Sequence, residues 1–162
     1  MKTNVSYFCQ QFRQVYDGEP WYGDSLRQKL ETITTGEAFA LPAPGVHSIA
    51  QIVAHMLAWR QLLLERLRGN ADFRIEVGSS LDWPSPAALE AKGWASLCSA
   101  FDDNQAELLR LLDAATDELL TRPLPDGKHS FQLLLDGMLH HDIYHIGQIG
   151  VVLAQLRAAV SA

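Results

Sequence analysis

The apolar residues of this chain recur at helical spacing almost throughout, and nowhere do they alternate in twos as a half-buried strand requires. Val5, Phe8, Phe12 and Val15 mark a first helix over residues 4–16. Gly and Pro in the segment 17–23 break it, and Asp24 or Ser25 can cap a short continuation over 26–33. Residues 36–46 read as a loop. Ser48 then opens a second long helix through a Ser-x-x-Gln capping box with Gln51, and Gly69 with Asn70 ends it. After a long connection over 70–85, Pro86 suits the first turn of a third helix that runs to about residue 120, with Gly93 as its weak spot. A Pro/Gly loop over 121–128 leads to Ser130, which caps a last helix reaching about residue 160. Four long helices with connections longer than a minimal hairpin predict an all-α four-helix bundle.

One domain over residues 1–162 is long enough to bury a core. Neither a spanning helix nor an apolar signal core stands in the sequence, so a cytoplasmic protein with no membrane partner is expected. The formal net charge is −6, with both signs mixed and no Lys/Arg run. On that ground nucleic acid is excluded as a partner. Cys9 and Cys98 form no CxxC pair and read as buried or semi-buried thiols in a reducing compartment.

Chemistry concentrates in the histidines. His141 and His145 stand four residues apart, about 400° around a helix, so they point the same way one turn apart and can grip one ion. A third imidazole from a packed neighbouring helix would complete a facial three-His site with a position left for water or substrate. His55 lies on the apolar stripe of the second long helix, between Ile52 and Trp59. A single histidine there, taken alone, usually reads as a core residue satisfied by a backbone carbonyl or a carboxylate. His140 falls about 100° off the ligand face. His47 and His129 sit in loops beside capping serines. No His-Glu-x-x-His protease motif, no repeated Glu-x-x-His pair, no Gly-rich phosphate loop and no Gly-x-Ser-x-Gly elbow appears.

Three stretches in this order resemble the DinB-like superfamily of metal-binding four-helix bundles, which includes thiol-dependent S-transferases. They are Trp21-Tyr-Gly-Asp-Ser-Leu26, His47-Ser-Ile-Ala-Gln-Ile-Val-Ala-His55-Met-Leu-Ala-Trp-Arg60 and His141-Asp-Ile-Tyr-His145-Ile-Gly-Gln-Ile149. The resemblance implies that His55, His141 and His145 ligate a divalent ion, zinc or nickel, in a protein that forms homodimers. It implies a small-molecule substrate and a low-molecular-weight thiol such as mycothiol or bacillithiol, or else isomerase or hydrolase chemistry. A non-catalytic metal-binding bundle is the alternative. Three neutral imidazoles would leave such an ion its full charge, enough to ionise a bound water or thiol.

Carboxylates on neighbouring helices, including Asp102 and Asp103, are candidates to orient the rings. Trp59, Tyr22 and Trp21 could line the mouth of the site, or be ordinary packing aromatics. Gln148, one turn beyond His145, could contact a ligand. Tyr144 lies beside the pair but off its face.

Overall fold

The computed structural model describes residues 4–160, with the side chain of Val160 left aside. Residues 1–3, with which the chain's N-terminal reading begins, lie outside the described residues, as do 161 and 162. The described residues form eight helices: α1 (Val5–Tyr16), α2 (Leu26–Glu31), α3 (Thr35–Phe39), α4 (Ile49–Leu67), α5 (Pro86–Lys92), α6 (Trp94–Asp113), α7 (Glu118–Thr121) and α8 (Phe131–Val160). The long ones close a ring, α1 against α6, α6 against α4, α4 against α8 and α8 against α1. This is the all-helical bundle that the periodicity predicts. No helix among the described residues is long and apolar enough to cross a membrane.

The helix starts follow local chemistry. Asn4 accepts from the Tyr7 amide at the head of α1 (2.9 Å). Ser48 accepts from the Gln51 amide (3.2 Å) while the Gln51 carboxamide accepts from the Ser48 amide (3.1 Å), which fixes the first turn of α4. Gly69 takes φ +84° and hands its N–H to the Arg66 carbonyl, closing that helix.

Two expectations need correction. The loop at 36–46 holds a short helix at its start, α3, because Thr34 and Glu37 form a second capping box: the Thr34 amide donates to Glu37 Oε2 (2.8 Å) and the Glu37 amide to the Thr34 hydroxyl (3.2 Å). The single third helix is in fact three. Gly93 adopts φ +85°, a conformation that strains any L side chain, and it divides α5 from α6. A turn after Asp113 then separates α7.

Phe8, Phe12, Phe101, Leu108 and Leu135 are fully enclosed, each contributing roughly 1.5–3 kcal/mol of burial. Through them runs a buried ion pair. Arg60 of α4 is 1% exposed. Its Nε and Nη2 donate to Asp142 Oδ2 of α8 (3.0 and 2.7 Å), and its Nη1 to Gln105 Oε1 of α6 (2.6 Å). Gln105 donates onward to the Phe12 carbonyl of α1 (3.2 Å), and the guanidinium lies over the Phe101 ring at 4.8 Å. One side chain thus ties all four long helices together.

Candidate metal centre

α4 and α8 bring three histidines to one point. His55 Nε2 lies 3.1 Å from His141 Nε2, and His141 Nε2 lies 3.1 Å from His145 Nε2. One ligand atom from each residue falls within 4.8 Å of the other two. The four-residue step of α8 supplies two rings. The contact of α4 with α8 supplies the third, so the juxtaposition that the pattern required is present.

The outer nitrogens set where the protons are. His55 Nδ1 faces Asp82 Oδ1 at 2.8 Å and the Asp82 carbonyl at 3.2 Å. Both are acceptors, so Nδ1 carries the proton and Nε2 keeps its lone pair. His145 Nδ1 faces Gln148 Oε1 at 2.6 Å, while the Gln148 amide donates to the Tyr144 hydroxyl at 2.9 Å. His145 Nε2 is therefore also a bare lone pair. The two converge on His141 Nε2, which can supply at most one N–H. Protonating the cluster is disfavoured: burial, then the neighbouring His145 and His55, pushes the His141 imidazole down to about 3. Burial likewise lowers His145. His141 Nδ1 is buried and has no partner among the described residues.

Ligand atoms at Zn–N lengths of about 2.0–2.1 Å stand about 2.9–3.4 Å apart for right-angled to tetrahedral geometry. Two of the three separations, at 3.1 Å each, lie inside that range, and that between His55 and His145 is within 4.8 Å. The donor set is neutral, nitrogenous and three-fold, so it fits a divalent transition ion.

Around this cluster the expected supporting residues are partly replaced. Asp102 bonds the Tyr16 hydroxyl and lies 3.9 Å from Arg27. Asp103 lines a groove among α4, α5 and α6. Neither supports an imidazole. The orienting carboxylate is Asp82, in the connection 70–85. It is 1% exposed and also accepts from the Trp59 indole (2.9 Å) and the Gly78 amide (2.8 Å). Burial would raise this carboxyl, but those hydrogen bonds and His55 outweigh it and hold it below the ordinary value.

Trp59 thus stands at the site through Asp82, and Gln148 does so through His145. Tyr22 is half-exposed and has no hydrogen bond or ring contact with the imidazoles among the described residues; burial, then the Asp142 charge, raises its hydroxyl. Trp21 is wholly exposed. The aromatic that the sequence reading missed is Trp83, sandwiched between His47 (3.8 Å) and His55 (4.0 Å) with all three rings nearly parallel. His140 is exposed. Burial pushes the thiols of Cys9 and Cys98 up to about 11, leaving both neutral.

The cluster separates two cavities. One, of about 780 Å³, is lined by His47, Trp83, Tyr144, His145 and Gln148; the other, of about 320 Å³, by Trp59, His129 and His141.

A helical bundle with three convergent imidazoles on two of its long helices defines the class. The model of the DinB superfamily matches residues 23–149, a span that includes all three histidines, and the chain belongs to that family. Among solved structures, the colibactin self-resistance protein ClbS, crystallised in complex with a dsDNA, superposes with a TM-score of 0.66 over 94% of this chain and 96% of its own, at 17% identity. A conserved protein from Enterococcus faecalis superposes with a TM-score of 0.62 over 95% of this chain and 93% of its own, at 16% identity. No curated protein matches this chain.

The ClbS complex overturns one expectation. Nucleic acid was excluded on net charge, yet a bundle of the same fold is seen on dsDNA. The physical reason is that net charge sums the whole chain while phosphate contacts are local. Here Arg66 and Arg122 line one cavity at the same end of the bundle, and Arg74 is close enough to add to the lowering of Arg66 that burial begins.

Proposed function

We propose that His55, His141 and His145 hold one divalent cation, zinc or nickel, through their Nε2 atoms, and that the centre activates a nucleophile. The observation that carries this reading is the fixed proton arrangement: Asp82 and Gln148 hold the Nδ1 protons of two rings and so turn their lone pairs inward. A bound divalent ion supplies the charge that ionises a water or a low-molecular-weight thiol near neutral pH. The chain does the rest. Asp82 and Gln148 orient the rings, Trp83 and Trp59 shield them, and one cavity borders His141 while another borders His145. Two unbridged thiols fit a reducing compartment such as the cytoplasm.

Metal analysis of the native protein beside His55→Ala, His141→Ala and His145→Ala tests the reading. One ion per chain in the native protein and large losses in each variant are expected; equal occupancy contradicts it. Paired assays, thiol transfer to a generic electrophile and ester hydrolysis, then separate the thiol from the water. A purely structural ion gives neither activity.

A second reading has one observation behind it, the ClbS complex with dsDNA. On this reading the chain binds duplex DNA by the end that carries Arg66, Arg74 and Arg122. Binding that weakens steeply with salt and drops on Arg122→Ala supports it; no binding at low salt refutes it.

A further inference from the structure

The metal reading leaves one neighbour of the cluster unused. The cavity of about 320 Å³ has an apolar lining that includes Leu124, Leu133, Leu134 and Met138, and two imidazoles in its wall. One is His141, the middle ring of the cluster. The other is His129, in the connection before α8. His129 is half of a dyad: its Nδ1 lies 2.6 Å from Asp126 Oδ2. Asp126 Oδ1 in turn accepts from the amides of Lys128 (2.9 Å) and His129 (3.0 Å). A carboxylate held in this way only accepts, so Nδ1 carries the proton and Nε2 presents a lone pair with no protein partner among the described residues. The loop is pinned where it meets the helix, since the Leu124 amide donates to the His129 carbonyl (2.8 Å) and the Phe131 amide to the Arg122 carbonyl (3.1 Å). The His129 side chain is 53% exposed, so it borders both the cavity and solvent.

We propose that His129, oriented by Asp126, is the general base of this cavity, and that the cavity admits small uncharged esters. The proposal rests on the reading of the cluster as a metal centre. As a water oxygen attacks the acyl carbon, its proton passes to His129 Nε2. The bond from the acyl carbon to the leaving oxygen breaks, and that oxygen departs with the electron pair. The imidazolium, paired with Asp126, then gives that proton to the departing oxygen, which leaves as the alcohol, and the free base is restored. One water is consumed, an acid and an alcohol are formed, and nothing is oxidised or reduced. The lone pair on Nε2, the carboxylate behind Nδ1 and the contact with solvent are the three things such a base needs.

The test compares the wild type with His129→Ala, His129→Gln and Asp126→Asn, their folds matched by circular dichroism. Zinc titration comes first: equal affinity in all four is expected, and a wild type that takes up no zinc overturns the metal centre itself before any rate is measured. NMR titration of the His129 ring follows, with and without zinc. Loading should move that titration to lower pH, because a cation bound at the cluster and the imidazolium repel each other. Hydrolysis of 4-nitrophenyl acetate by the zinc-loaded proteins comes last. The expected rates fall about 100-fold in both His129 variants and about 10-fold in Asp126→Asn. An unmoved His129 titration overturns the proposal. So do equal rates in the wild type and His129→Ala, whether both are fast or both match buffer.

Discussion

Two polar clusters share the same two helices and are held by opposite means. Arg60 of α4 meets Asp142 of α8 in the core, with the cation, the anion and the Gln105 carboxamide all supplied by the chain. His55 of α4 meets His141 of α8 a short distance along, and there two lone pairs face one nitrogen that can supply at most one N–H. His141 and Asp142 are adjacent in sequence and face different surroundings, the first half-buried at the cavities and the second fully enclosed. The charges of the pair cancel internally through Asp142 Oδ2, while Asp142 Oδ1 has no hydrogen-bond partner among the described residues. The trio sets two lone pairs against at most one N–H, an arrangement that could hold a cation from outside. Whether opposite charges meet within the chain is therefore what separates the part that holds the bundle together from the candidate metal centre.

That contrast can be broken by mutation. Asp142→Ala strands a buried guanidinium and should destabilise the protein by about 3–5 kcal/mol in urea unfolding. His141→Ala should cost the metal-free protein far less, and a comparable loss in both would erase the distinction.

Acid gives the next largest effect. His141 is held neutral, its folded value lowered from 6.5 to about 3. Its unfolded form therefore binds the extra proton first. The contribution is complete above 6.5 and is lost progressively as pH falls towards 3, with a slope of up to about 1.4 kcal/mol per unit for this one group. The metal-free wild type should lose stability over that window more steeply than His141→Ala; parallel curves would show that His141 titrates normally.

Metal should act on one cluster alone. Zinc at about 100 times its dissociation constant should stabilise the wild type and Gln105→Leu alike by about 2.7 kcal/mol, and His145→Ala hardly at all. Calorimetric melts with and without zinc check this. Asp82→Asn should give the smallest change, about a 10- to 100-fold loss of zinc affinity with the site still occupied at high metal. No change in affinity would remove Asp82 from the account.

Much of this was legible in the sequence wherever a period or a cap carried it. The Ser48–Gln51 box, the end of α4 at Gly69 and the shared face of His141 and His145 all follow from local spacing. The Arg60–Asp142 pair left a recoverable signal. Arg60 follows Met56 by four, and Asp142 follows Met138 by four, so each charge sits on an apolar stripe of its helix. Opposite charges so placed on two long helices point to a buried pair. The second capping box, Thr34 with Glu37, was equally there to be read. Asp82 and Trp83 were not. They lie in an irregular connection with no period, and their place beside His55 exists only once that connection folds back over α4. The partner of His129 is local, three residues away, but the cavity that gives the dyad a use is tertiary.

The central claim is that three imidazole nitrogens from two helices bind one cation. An anomalous difference map at the zinc edge, from crystals of the zinc-loaded protein, tests it most directly. The account predicts one peak per chain at about 2.0–2.1 Å from Nε2 of His55, His141 and His145 together. A peak elsewhere with these three rings unligated, or no peak at full zinc loading, would contradict it.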